Sequence, residues 1–88
     1  MAYVYILKCS DNTLYTGWTL DLTRRVCEHN GGNKGSKFTR ARRPVKLCYV
    51  EEFDDKISAM KREAEIKKLT RPKKLELVNA FSNIDKYL

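Results

Sequence analysis

The rhythm of apolar and polar positions changes several times along the chain. From Tyr3 to Cys9 the sequence YVYILKC puts aromatic and β-branched residues on both alternating faces. That pattern predicts a strand covered on both sides, and therefore a central one. Ser10-Asp11-Asn12 carries turn chemistry, and Thr13 to Thr19 (TLYTGWT) predicts a second strand that forms a hairpin with the first. Asp21 is a candidate N-cap for a helix running to about Asn30, where Asn30-Gly31-Gly32 ends it. Residues 31–44, GGNKGSKFTRARRP, lack apolar periodicity and predict an exposed loop, with Gly35 keeping its backbone flexible. Val45 to Phe53 (VKLCYVEEF) predicts a third strand. Asp54 or Asp55 caps a long helix through about Leu69, Thr70-Arg71-Pro72 punctuates it, and a short helix follows over roughly Lys73 to Phe81. The order is β-β-α-β-α-α, with no internal repeat and no low-complexity segment.

Length and charge narrow the picture. A chain of 88 residues buries about 60% of its unfolded surface, enough for one small core and one domain spanning 1–88. Lys and Arg number 18 against 11 acidic residues, a formal charge of +7 and a pI near 9.5. With 42% hydrophobic and 10% aromatic residues, the chain is too apolar for disorder, and its charge favours an anionic partner, nucleic acid first. No apolar run has the length of a membrane span. Met1-Ala2-Tyr3-Val4-Tyr5 enters strand-like sequence directly, without signal-peptide features, so a cytoplasmic setting is expected. Cys9, Cys27 and Cys48 form no Cys-x-x-Cys pair, which argues against a disulfide framework or a structural zinc site and for small, reduced, partly buried residues.

Charge placement says more than its sum. Lys34, Lys37, Arg40, Arg42, Arg43 and Lys46 fall in one stretch that holds no acidic residue, with Phe38 interleaved. Such a segment suits phosphate contact and counterion release; it also suits an ordinary solvated loop. Glu51, Glu52, Asp54 and Asp55 follow, so the charge is segregated.

Three constellations carry candidate chemistry. Tyr5 and Tyr15 lie in the two strands of the hairpin. If Ser10 to Asn12 form a three-residue loop, Leu7 opposes Tyr15, Tyr5 opposes Gly17, and both tyrosines share a face; an even loop would separate them. In the next helix, Arg25 and His29 flank the apolar stripe of Leu22 and Val26, while Arg24 and Glu28 point away. An Arg there reaches a pocket at the sheet edge, or it snorkels beside a core-rim His. In the long helix, Glu63 shares a face with Ala59, Met60 and Ile66, whereas Glu65 points to solvent. Glu63 is then a hard-cation ligand or the partner of Lys67 at i, i+4.

Tyr3-Val4-Tyr5, Tyr15-Thr16-Gly17, Leu22-x-x-Arg25 with His29, and Ala59-Met60-x-x-Glu63 together resemble the ordered signature of the GIY-YIG nuclease superfamily. The likeness runs from about residue 3 to residue 69 and is greatest to small, stand-alone bacterial members, which are largely uncharacterised. It implies an α+β fold with a small three-stranded, mostly antiparallel sheet flanked by helices. It also implies hydrolysis of phosphodiester bonds in DNA with one Mg²⁺ or Mn²⁺, in a setting such as repair or recombination. By the resemblance, Tyr5 and Tyr15 activate and orient the attacking water, Arg25 contacts the phosphate, His29 relays a proton, Glu63 binds the metal, and Gly17 lets the backbone pass close to the site. Tyr3 stands where the family name has its first Gly, Thr16 where it has Ile, Trp18 where repair-type relatives carry Lys, and Leu75 where they carry Asn.

An endonuclease is therefore the leading expectation, DNA being favoured over RNA and a monomer over an oligomer. The alternative is a nucleic-acid-binding module of the same fold that cuts slowly or not at all; a purely structural domain leaves the basic stretch and Arg25 without a purpose. The family's attached targeting domains have no counterpart in this sequence, so a separate targeting protein fits the picture.

Overall fold

The computed structural model describes residues 1–87. Its elements are β1 (Ala2–Lys8), β2 (Leu14–Thr19), α1 (Leu22–Asn30), α2 (Lys37–Arg40), β3 (Lys46–Phe53), α3 (Lys56–Lys67) and α4 (Arg71–Ala80), followed by a 3₁₀ turn over Ile84–Tyr87. Strand order is β2-β1-β3, all antiparallel. β1 is thus the central strand that its two-faced apolar pattern predicts. Tyr5, Leu7 and Cys9 pack on one face with Leu22, Val45, Leu47 and Val50; Ala2, Val4 and Ile6 pack on the other with Tyr49, Ala59 and Ile66. Each large side chain so enclosed contributes roughly 1.5–3 kcal/mol, which makes β1 the strand on which both halves of the core depend.

The hairpin register follows from its loop. Cys9 N–H donates to the Thr13 carbonyl, Asn12 N–H donates to the Cys9 carbonyl, and Asn12 sits at φ 68°. That is a turn followed by a left-handed residue, a conformation Asn tolerates. Leu7 then opposes Tyr15, and Tyr5 opposes Gly17. The odd loop places both tyrosines on one face.

Helix starts follow their caps. Asp21 accepts from Arg24 N–H, and Asp55 from Ser58 N–H. The segment 31–44 departs from the expected loop. Ser36 caps the short helix α2, and Thr39 within it is fully buried. Gly35 is there for contact, not flexibility: a Cβ at that position would lie 2.8 Å from the Glu28 carbonyl oxygen of α1. The segment has no periodicity because it closes over the end of α1 through single contacts, not along a stripe. Met60 also departs, being largely exposed at the solvent edge of α3 instead of packing beside Glu63. Cys9 is buried, Cys48 half-buried and Cys27 exposed, and all three are free thiols.

One core hydroxyl lacks a partner. Thr16, on the opposite face of β2 from Tyr15 and Gly17, buries an Oγ1 that meets no hydrogen-bonding group. A stranded polar atom of this kind costs about 1–3 kcal/mol. Thr16→Val replaces the hydroxyl by a methyl of equal size, and we expect it to raise stability by about 1 kcal/mol. The check is an increased urea midpoint at unchanged slope.

Candidate active site

The site is assembled where β2 passes beneath α1. Gly17 has no side chain, and the Tyr5 ring fills the space: a Cβ on Gly17 would lie 2.5 Å from the Tyr5 hydroxyl. Its service is therefore to the neighbouring tyrosine rather than to the backbone alone. Tyr5 and Tyr15 ring centroids are 6.5 Å apart, and His29 lies 5.8 Å from the first and 5.0 Å from the second. The Tyr5 hydroxyl is 2.8 Å from His29 Nε2. Both side chains are sealed, at 1% and 0% exposure, whereas Tyr15 and Arg25 are only half-buried.

The hydrogen bonds favour one placement of the protons. His29 Nδ1 lies 2.8 Å from Thr39 Oγ1, and Thr39 Oγ1 donates to the Ser36 carbonyl at 3.2 Å. A threonine hydroxyl has one proton, and Ser36 offers it the carbonyl and, at 3.0 Å, the side-chain Oγ; with the proton on either, Thr39 accepts from His29 Nδ1–H. Nε2 is then the lone-pair nitrogen, and the Tyr5 hydroxyl donates to it. Every proton of the chain Tyr5, His29, Thr39, Ser36 has an acceptor. The reverse tautomer would leave the enclosed Tyr5 hydroxyl donating to nothing in this chain of contacts.

Electrostatics hold the same state. Burial pushes His29 down to about 4, with the Arg25 and Arg43 guanidinium groups adding to the fall and Glu28 opposing it. Burial pushes the Tyr5 phenol up to about 12; Tyr15 adds to the rise, Arg25 works against it, and Glu63 adds the smallest part. The histidine is neutral and the tyrosine keeps its proton.

Arg25 approaches from α1. Its Nη1 donates to Glu28 Oε1 at 3.1 Å and to the Lys34 carbonyl at 2.8 Å. Glu28 does not point away from the site as helix geometry predicts. Arg25 draws it in, Arg24 binds its other oxygen at 3.3 Å, and Arg25 holds its carboxyl below the usual range. Glu63 stands on α3, which packs on the other face of the sheet from Tyr5; it is half-buried beside Lys67 Nζ at 3.4 Å, and its charge reaches Tyr5 only as the smallest influence on that phenol. Among the described residues, no group of three or more His, Cys, Asp or Glu side chains converges. A Mg²⁺-type ion takes one or two carboxylates and completes its shell with water and substrate oxygens. A single glutamate fits such an ion and would not make a structural zinc site.

The basic stretch divides. Lys34, Lys37, Arg40 and Lys46 are exposed. Arg43 turns inward and donates to the carbonyls of His29, Glu28 and Gly32, closing the end of α1. Arg42 pairs with Asp11 at 3.1 Å and lies 3.9 Å over the Phe38 ring, which in turn lies 5.9 Å from Tyr15. Thr39, Ser36 and Glu28 are the site's neighbours that sequence reading passed over. Their only signal was the Ser-x-x-Thr capping pattern of residues 36–39.

A family model described as the GIY-YIG catalytic domain matches residues 1–76. A UPF0213 protein of Syntrophus aciditrophicus is 55% identical over 76 residues, covering 86% of this chain and 87% of the relative. Another from Natronomonas pharaonis is 57% identical, covering 86% and 88%. The solution NMR structure of a UPF0213 protein from Bacillus halodurans is similar with a TM-score of 0.61 and 45% identity, covering 94% of this chain and 88% of that one. No helix among the described residues is long and apolar enough to cross a membrane.

The neutral histidine has a consequence for stability. It stays unprotonated in the fold down to about pH 4, while in the unfolded chain it protonates near pH 6.5. Its folded pKa is lowered, so the unfolded state binds more protons and stability falls as pH drops through 6.5 toward 4. His29 is the sole histidine, so loss between pH 7.5 and 5 is assigned to it. We expect about 2 kcal/mol in urea titrations, and a flat profile for His29→Gln. Replacing Thr39 is expected to free the tautomer: imidazole ¹⁵N shifts should report a single protonated Nδ1 in the native chain and in Thr39→Ser, but a tautomer mixture in Thr39→Val.

Proposed function

The chain belongs to the GIY-YIG catalytic domain family, a nuclease family, and on that premise we propose that it is a metal-dependent endonuclease that hydrolyses phosphodiester bonds in DNA. The observation that carries the reading is the buried Tyr5–His29–Thr39 chain opening onto half-exposed Tyr15 and Arg25. Apolar side chains of similar volume would hold the fold as well or better, so the polar chain makes sense as chemistry.

Hydrolysis joins a water oxygen to phosphorus and breaks the bond to one sugar oxygen. The water gives up one proton, which leaves to solvent past the half-exposed Tyr15 hydroxyl, and the leaving sugar oxygen takes one from solvent. Tyr15 is the phenol with access to solvent, and it holds and orients the attacking water. Tyr5 stands behind it, its hydroxyl donating to neutral His29 Nε2, so that the pair positions the site and the phenol keeps its proton. Arg25 lies where a guanidinium can take two phosphate oxygens and accompany their growing charge, leaving Glu28 to do so. Glu63 would hold the divalent cation, which when bound supplies polarisation of the phosphate and stabilisation of the leaving oxygen. Lys34, Lys37, Arg40 and Lys46 would bind backbone phosphates away from the reacting one.

The decisive assay is nicking of duplex, flapped and single-stranded DNA with Mg²⁺ or Mn²⁺. We expect Arg25→Ala and Glu63→Gln each to reduce the rate by about 100-fold or more. Activity that survives both changes overturns the mechanism. Salt-sensitive binding without cleavage by the native chain favours the alternative, a binding module of the same fold.

A further inference from the structure

A hollow of roughly 530 Å³ adjoins Arg25 between the end of β2 and the first turns of α1, walled by Trp18, Leu20, Asp21, Arg24, Arg25 and Glu28. Its size falls within the about 300–1,000 Å³ of small-ligand sites. Two of its walls are apolar without need. Leu20 is 60% exposed, and Trp18 packs only part of its indole on the Val4 and Ile6 side of the core. Both carboxylates are committed, Asp21 to the N-terminus of α1 and Glu28 to two arginines. Arg24 uses its Nε on Glu28, and its side chain is otherwise 69% exposed. The hollow thus brings Trp18 and Leu20 into one lining with the guanidinium groups of Arg24 and Arg25.

That pairing matches a nucleobase joined to its phosphate. A base face is available for stacking only when the base is unpaired, because in a duplex both faces are covered by neighbours. We propose that the hollow receives one unpaired nucleotide of the strand being cut, its base against Trp18 and Leu20 and its phosphate toward Arg24. The enzyme would accordingly favour DNA with an unpaired base beside the scissile bond. This rests on Arg25 being the phosphate-binding residue, as argued above.

Trp18 is the sole tryptophan, so fluorescence excited selectively at tryptophan reports on a residue that lines the hollow. The full chain is titrated with a short oligothymidylate and with a blunt duplex of equal charge, in EDTA to prevent cleavage, while the anisotropy of a labelled strand gives the bound fraction. Expected is saturable quenching by the oligothymidylate and little by the duplex at equal bound fraction. Trp18→Ala should weaken binding of the single strand about tenfold, and Trp18→Phe should restore most of it. Leu20→Ser, a change at an exposed position, should weaken it in the same direction if Trp18→Ala perturbs folding. Binding by anisotropy without quenching, or equal quenching by the duplex, overturns the proposal. Quenching in a chain that never nicks DNA with Mg²⁺ or Mn²⁺ leaves the hollow in place and overturns the nuclease reading instead.

Discussion

The hydrogen bond between Tyr5 and His29 is the constraint around which this small molecule is arranged. It joins the central strand to α1 inside the core, where neither partner reaches water. Such a bond tolerates little displacement, because a lost partner leaves a buried polar atom at a cost of about 1–3 kcal/mol. Three features of the chain are conditions for it. Gly17 leaves the tyrosine ring its space; the odd hairpin loop puts Tyr5 on the face that α1 covers; and Thr39 supplies the far end of the imidazole with an acceptor. The interaction also fixes the charge state, since a protonated histidine in that position would be cut off from water and would face two guanidinium groups against the single carboxylate of Glu28.

From that constraint follows a division of labour among the cations. A chain with a charge of +7 has cations to spare, yet few are free where they matter. Arg43 closes the carbonyl end of α1, where a cation also suits the helix dipole. Arg42 ties α2 to the hairpin turn through Asp11, and Arg62 binds Glu51 at 3.0 Å. Glu52 is met by Lys86 and by the Tyr87 hydroxyl. Glu51 and Glu52 thus serve structure at the β3 side, while Lys34, Lys37 and Arg40 stay exposed.

Much of the fold could be read from local signals because they have local causes. Apolar residues on both faces of residues 3–9 require a strand enclosed by two layers. Asp21 and Asp55 begin helices because their side chains accept from the backbone three residues on, a contact that needs no tertiary partner. The hairpin register followed from loop parity. Residues 31–44 gave no such signal. Their structure comes from Gly35 on the Glu28 carbonyl, Arg43 on three carbonyls and the Asn30 amide on both backbone groups of Val45. Each of these contacts joins residues that no sequence period relates.

The candidate site divides along the same line. The resemblance to the GIY-YIG signature joined Tyr5, Tyr15, Arg25, His29 and Glu63 into one group, while the residues' own periodicity gave only separate candidates on a hairpin and two helices. Sequence alone left open whether Arg25 and His29 were functional or merely at the rim of the core, and it placed Glu28 in solvent. Only the packed structure decided that His29 is neutral, that Nδ1 carries its proton and that Glu28 holds Arg25. Protonation and tautomer depend on burial and on the partner at each ring nitrogen. One of those partners, Thr39, reaches the histidine only when the segment after α1 has folded back upon it.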